Sequence, residues 1–82
     1  MERKLAGAAC AQEEIIRYYL LRNVQTEAAE TYGIEVEYKG EVARFHGLSG
    51  SLREIRSLLE TMIRCSVTPV ALPYIVEDWL FT

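Results

Sequence analysis

Few side chains in this sequence could perform acid–base, nucleophilic or metal chemistry. There is one histidine, His46, and there are two cysteines, Cys10 and Cys65, at spacings that match no metal-binding motif. A catalytic histidine or cysteine needs a second group that activates it, and the sequence places none beside these three residues. We therefore expect no catalytic residue, no metal and no cofactor, and a protein that is not an enzyme.

Gly47 and Gly50 flank a short segment that leads into a predicted helix, as the glycines of a phosphate-binding loop do. No lysine follows at the start of the helix, and Glu54 adds negative charge to its first turn. We interpret this segment as a turn that needs glycine for steric reasons and not as a phosphate site.

Glu77 and Asp78 are adjacent acids within the apolar C-terminal segment PYIVEDWLFT. On a helix they lie away from the apolar stripe, which includes Trp79 and fastens the helix to the rest of the fold. Acids near a helix C-terminus oppose the macrodipole. Three interpretations stay open: a solvated helix face, a docking surface for a basic partner, and paired carboxylates for acid–base or metal chemistry.

The segment from Ile15 to Arg22 is rich in β-branched and aromatic residues, and both of its alternating sets are apolar, which predicts a strand covered on both faces. One set, Ile15, Tyr19 and Leu21, forms an apolar row on the face that no helix is expected to cover. Because monomers seldom leave such a row in water, it predicts a two-fold dimer.

A second alternating run surrounds Lys39 and Gly40, which predicts two strands joined by a two-residue turn. The turn sets a register in which apolar residues face apolar ones and opposite charges face each other. The predicted pairs are Ile34 with Phe45, Val36 with Ala43, and Glu35 with Arg44.

After Leu48 the hydrophobic period changes from two to 3.6, which predicts an amphipathic helix. Ser51 and Glu54 have the spacing of a capping box at its start. Two prolines then predict a second, shorter helix that begins either at Thr68–Pro69 or at Leu72–Pro73, and its expected apolar stripe includes Leu80. The predicted fold is α+β with two layers, a three-stranded antiparallel meander followed by two helices packed on one face.

Residues 1–12 are alanine-rich and show no sustained period, so we predict a flexible N-terminal tail and a single α+β domain over residues 13–82. The chain has 82 residues, of which 50% are hydrophobic, and a net charge of −3. Its nine basic residues are scattered, which argues against nucleic acid as a partner. Without a signal peptide pattern or an apolar run long enough to span a bilayer, we expect a cytoplasmic protein that does not bind membranes.

Four short motifs, in their order and spacing, resemble a family of short bacterial proteins known only as a domain of unknown function. They are TYGIEV at residues 31–36, Leu48-Ser49 before the first helix, Thr68-Pro69, and VEDWL at residues 76–80. The resemblance runs from Ile15 to Leu80. Family members typically carry an acid before the Leu-Ser pair and a polar or acidic residue after the proline turn, where this chain has Gly47 and Pro73. The resemblance implies a small cytosolic bacterial protein and supplies no activity, cofactor or catalytic residue.

The sequence as a whole predicts a non-enzymatic interaction or regulatory module that self-associates and can bind an unidentified protein partner. Its candidate interaction residues are Ile15, Tyr19, Leu21, Glu77 and Asp78. The alternative is a small-molecule binder that uses an aromatic groove between the sheet and the C-terminal helix, lined by Tyr18, Tyr32, Tyr74 and Trp79.

Overall fold

The computed structural model describes residues 1–26 and 29–81, which form four strands and two helices. The elements are β1 (Glu2–Ala11), β2 (Glu14–Thr26), β3 (Ala29–Tyr38), β4 (Glu41–Ser49), α1 (Leu52–Arg64) and α2 (Leu72–Leu80). The strands lie side by side in chain order, all antiparallel. Both helices pack on one face of the sheet. The two-layer α+β prediction is confirmed, whereas the predicted number of three strands is wrong.

The additional strand, β1, lies in the segment predicted to be a flexible tail, residues 1–12. Its hairpin to β2 turns at Gln12 and Glu13, whose φ angles of 50° and 67° are left-handed. Glycine and asparagine favour that region, so these two residues give no turn signal. The strand also shows no hydrophobic period, because α1 lies so close above it that the positions facing the helix are small residues, Gly7, Ala9 and Ala11. A Cβ atom on Gly7 would lie only 2.6 Å from Cδ1 of Ile63.

The β3–β4 hairpin has the predicted turn and the predicted register. Lys39 and Gly40 both have positive φ angles, 51° and 80°, as a tight two-residue turn requires. The three predicted pairs are all observed as Cα partners. Further along, Ile34 pairs with Phe45 and Tyr32 pairs with Ser49, so one residue of β3 lies opposite three residues of β4. Residues 46–48 therefore form a bulge in β4 opposite Gly33.

A hydrophobic core fills the space between the sheet and the helices. The hydroxyl of Tyr18, in the middle of this core, donates a hydrogen bond to the carbonyl oxygen of Val67 at 2.8 Å. Burial raises the pKa of Tyr18 to about 12, so the phenol stays protonated and keeps this bond. The core residues are Ile16, Tyr18, Tyr32, Ile34, Val36, Ile55, Leu58, Leu59, Met62, Val67, Leu72 and Val76.

α1 begins at the predicted N-cap, although the cap is completed by another serine. The Ser51 hydroxyl accepts a hydrogen bond from the Glu54 backbone N–H at 3.3 Å. The Ser51 backbone N–H donates to the hydroxyl of Ser49, and that hydroxyl donates to the Glu54 carboxylate at 2.9 Å. Ser49 thus relays the contact that a direct capping box would make between Glu54 and the Ser51 N–H.

α2 begins at the second of the two predicted positions, with Pro73 in its first turn. Leu72 and Val76 are buried, and Trp79 packs against the core as a partly buried side chain. Leu80 was predicted to join this stripe, but it is 55% exposed because it lies at the last helical position, beyond the edge of the core. The helix therefore buries only a narrow side and leaves a wide face open.

Replacing Gly33 with alanine should destabilise the fold. The added Cβ would lie 2.0 Å from the carbonyl oxygen of Phe45 and 2.9 Å from Cα of His46, so β4 would have to move. We expect the free energy of unfolding to fall by about 1 to 3 kcal/mol, the usual cost of forcing extra volume into a packed site. Gly50→Ala is the matched control, since its Cβ meets nothing closer than the carbonyl oxygen of Glu30 at 3.7 Å. Urea denaturation measures both variants, and equal stabilities would contradict the prediction.

Candidate functional site

The face of the sheet opposite the helices, called the open face from here on, carries charged side chains at its centre. The core residues of β2 and β3 occupy even-numbered positions, so the odd-numbered residues of both strands lie on the open face. These include Arg17, Tyr19 and Leu21 of β2 and Glu35 and Glu37 of β3.

Glu35 lies at the centre of the open face and is 1% exposed, the most buried charged side chain in the described ranges. Arg3 donates from Nε to Oε2 of Glu35 at 2.5 Å, and Arg44 donates from Nε to Oε1 at 2.6 Å. The Arg3 guanidinium also stacks on Tyr19, with Cζ 3.6 Å from the ring centroid. We call Arg3, Tyr19, Glu35 and Arg44 the Glu35 cluster. Each of the four strands contributes one residue to it.

Two opposing effects act on the pKa of the Glu35 carboxyl. Burial is the largest single effect and raises the pKa, but the hydrogen bonds and charges of Arg3 and Arg44 together outweigh it and hold the pKa below its ordinary value. The hydrogen bond to Glu35 in turn raises the pKa of Arg3. At neutral pH the cluster therefore holds one negative and two positive charges.

The ion pairs around the Glu35 cluster are longer and more exposed. Glu37, with a side chain 33% exposed, lies 3.7 Å from Arg17 and 3.8 Å from Arg3. Pairs of this kind contribute little to stability in water. They extend the charged surface toward the end of the sheet where the hairpin turns lie. The open face is thus covered mainly by paired charges.

The three residues predicted to form an apolar row on this face differ in exposure. Ile15 is 52% exposed, Tyr19 is half-buried beneath Arg3, and Leu21 is 1% exposed. The Cα partner of Leu21 on β3 is Gly33, and the β4 bulge passes over that glycine within van der Waals distance. Of the predicted row, only Ile15 offers a large exposed apolar surface.

The two predicted acids of α2, Glu77 and Asp78, are both exposed. Tyr74 and Phe81 flank them at helical spacing and are 73% and 85% exposed. These four side chains line one shallow depression. We call them the α2 outer face. The sequence predicted the acids of this face, but Tyr74 was assigned to the aromatic groove and Phe81 was not predicted, although all four residues follow the i, i+3, i+4, i+7 spacing of one helix face.

The predicted aromatic groove between the sheet and the C-terminal helix does not form. Tyr18 is fully buried in the core. Tyr32 is 8% exposed, and its hydroxyl donates a hydrogen bond to the Glu30 carboxylate. Tyr74 and Trp79 line two separate depressions on different sides of α2. A small domain needs large side chains to fill its core, which explains why two of the four aromatics are buried.

The histidine and the cysteines lie on separate elements. His46 is exposed in the β4 bulge, Cys10 is exposed on β1, and Cys65 is exposed where α1 ends. Within the described ranges, no three histidine, cysteine, aspartate or glutamate side chains form a group that could hold a metal ion. The helices of the described chain are too short or too polar to cross a membrane.

Arg3 was not predicted to join the Glu35 cluster, although Glu35 was predicted to pair with Arg44. A signal for Arg3 exists in the charges of its strand, because Glu2 lies opposite Arg22 and forms an ion pair with it at 3.3 Å. Opposite charges at facing positions favour a hairpin. Using that signal requires both the turn at Gln12 and the bulge between Leu5 and Gly7 to be recognised first.

These features define a class of two-layer α+β protein, with two helices on one face of a four-stranded antiparallel meander and an ionic cluster on the other. The sequence matches a family of unknown function, DUF6514, over residues 3–82, and the chain belongs to this family. The resemblance noted over Ile15 to Leu80 is confirmed, and the match also includes β1. No curated protein and no solved structure matches the chain.

Replacing Glu35 with glutamine should destabilise the protein at neutral pH, because the substitution removes the charge that pairs with two arginines. We expect the free energy of unfolding to fall by about 1.5 to 3 kcal/mol, the range for hydrogen bonds to a charged group. Glu37→Gln is the matched control, one position along on the same face, and it should change stability little because its ion pairs are long and exposed. Urea denaturation measures both variants.

The pH dependence of stability gives a second readout of the same pair of variants. A carboxyl whose pKa is lower in the folded state contributes stability above its unfolded-state pKa and loses it as the pH falls through the folded-state pKa. The parent protein should therefore lose stability in acid, starting near the ordinary glutamate pKa of 4.5. Since Glu35→Gln lacks this contribution, its stability curve should approach that of the parent at low pH. Curves that stay parallel would contradict the role given to Glu35.

Proposed function

We propose that the protein is a non-catalytic interaction module and that the α2 outer face is its docking surface. The observation that carries this proposal is the exposure of Tyr74 and Phe81, which are 73% and 85% exposed. Large apolar side chains exposed near one another on a surface mark interaction sites, and aromatic residues are enriched at the centres of such sites. No catalytic group and no cofactor enters the proposal.

The charges of the α2 outer face indicate the chemistry of the partner. Glu77 and Asp78 lie between the two aromatic residues, and α2 contains no basic residue. A basic partner would offset the unfavourable interaction of these acids with the C-terminal end of the helix dipole. Two copies of this face brought together would place four acids in contact, so a second copy is a poor partner here. We infer a partner that presents basic side chains beside apolar ones.

We also propose that the protein self-associates, through a different surface. Ile15 and Val42 lie on the open face and are 52% and 49% exposed. They lie near the hairpin turns, beyond the Glu35 cluster, where the ion pairs of Arg17 and Glu37 are weak. A two-fold dimer through this end of the face would cover both residues in each copy.

A bacterial cytoplasm is the compartment that we propose. Cys10 and Cys65 are both exposed free thiols, and a reducing compartment keeps such cysteines unpaired. The family resemblance supports the bacterial origin.

Charge reversal on α2 tests the docking proposal. Glu77→Lys combined with Asp78→Lys should reduce recovery of the partner in affinity purification from the native cell by about tenfold or more, because like charges at an interface are strongly unfavourable. The matched control is Glu13→Lys combined with Glu14→Lys, a second pair of adjacent exposed acids, on the β1–β2 hairpin. Circular dichroism checks that both variants are folded. If the α2 variant retains every partner of the parent protein, the docking surface is elsewhere.

The mass in solution tests self-association. Light scattering at micromolar concentration should give a dimer for the parent protein and a monomer for Ile15→Lys, because a buried lysine at the interface would be unpaired. Val24→Lys is the control, since Val24 lies on the same strand and has the same exposure, 52%. A monomeric parent protein would refute the proposal, and a dimer that survives Ile15→Lys would refute the surface assigned to it.

A further inference from the structure

A groove lies between β1 and α1, on the helical side of the sheet and away from both surfaces discussed above. Its volume is about 270 Å³. Leu59 is buried and Leu20 and Ile63 are half-buried, and these side chains provide an apolar floor. The complete lining is Lys4, Leu5, Ala6, Leu20, Arg56, Leu59, Glu60 and Ile63.

The groove exists because small residues of β1 face the larger side chains of α1. The helix lies close to the strand at Gly7, where Ile63 occupies the space of the missing Cβ. Next to this contact the strand is irregular, with a bulge between Leu5 and Gly7. Ala6 lies in the bulge and is too small to fill the gap, so the floor stays open to solvent.

Two cations border the groove without ionic partners. Arg3, Arg17, Arg22 and Arg44 of the sheet all form ion pairs. Lys4 and Arg56 form none within the described ranges.

Glu60 is the only acid that lines the groove, and it is likewise unpaired within those ranges. The lining therefore carries a net charge of +1, from two cations and one anion. That balance favours a ligand with a single negative charge.

We propose that this groove binds a small amphipathic carboxylate, with an aliphatic chain on the apolar floor and its carboxylate between Lys4 and Arg56. Guanidinium groups bind carboxylates through paired hydrogen bonds, and lysine adds a compact charge. The volume of about 270 Å³ lies at the small end of the range of ligand pockets, about 300 to 1,000 Å³, and suits a small molecule with a short aliphatic chain. This inference is independent of the docking role of α2.

Titration with sodium octanoate, followed by amide chemical shifts in NMR spectra of the full chain, tests the proposal. Saturable shifts should appear at groove residues such as Ala6, Leu20 and Ile63, and amides of the α2 outer face should not respond. Octylammonium, which has the same chain and the opposite charge, should give no saturable shifts. Butanoate should bind more weakly, because its chain covers less of the floor.

Variants separate the head-group site from the apolar floor. Lys4→Gln and Arg56→Gln should each weaken octanoate binding by about tenfold, the effect of losing one hydrogen bond to a charged group. Arg64→Gln, an exposed arginine of the same helix outside the groove, should leave the affinity unchanged. Ala6→Phe should abolish binding by filling the gap while it leaves both cations in place. These four sites lie outside the core cluster, so the variants should stay folded.

Three results would overturn the proposal. Octanoate shifts that do not saturate, or that are equally strong with octylammonium, would indicate non-specific contact with apolar surface. Affinity that survives both Lys4→Gln and Arg56→Gln would remove the head-group site. Shifts that map to α2 in place of the groove would place the ligand on the docking surface.

Discussion

The burial of one carboxylate, Glu35, is the constraint on which the open side of this protein depends. Taking a charged carboxylate out of water costs several kcal/mol unless the charge is paired and its oxygens accept hydrogen bonds. Both oxygens of Glu35 are satisfied, one by Arg3 and the other by Arg44. These arginines come from the two edge strands, so the charge cannot be compensated unless all four strands are in place. The cluster therefore makes the sheet cooperative across its whole width.

The cluster also explains how the sheet shields from water the face that no helix of the described chain covers. Both helices pack on the core face of the four strands, so no helix of the described chain covers the open face. Arginine side chains cover part of the open face, because their apolar stems lie along the surface while their charged ends stay in contact with water. Arg3 does this over the ring of Tyr19. The open face is thereby shielded without a second layer.

The position of Arg3 depends on one irregularity that sequence patterns do not reveal. Next to the turn, Ala11 pairs with Glu14. An unbroken register from that pair would place Arg3 opposite Arg22, with like charges facing each other on the helical side of the sheet. The bulge between Leu5 and Gly7 shifts the register by one residue. Arg3 then lies opposite Leu21 on the open face, within reach of Glu35.

Elements held by local chemistry could be predicted, and elements held by long-range contacts could not. The β3–β4 register follows from the turn at Lys39–Gly40, and the start of α1 follows from the serine at its cap. By contrast, β1 is a strand because α1 covers its small residues, a contact between distant parts of the chain. The burial of Leu21 likewise depends on the β4 bulge. The Glu35–Arg44 half of the cluster was predictable, whereas the half that involves Arg3 was not.

The two layers use their charges in different ways. All four arginines of the sheet are engaged in ion pairs, and their role is structural. Charged side chains of the helices, including Arg56, Glu60, Glu77 and Asp78, form no ion pairs within the described ranges. An unpaired charge beside exposed apolar surface has its full electrostatic attraction available to a ligand or partner. Both arrangements of that kind, the groove between β1 and α1 and the α2 outer face, lie on the helical side of the sheet. We therefore expect a ligand and a basic partner to bind on that side, whereas the proposed self-association uses the open face.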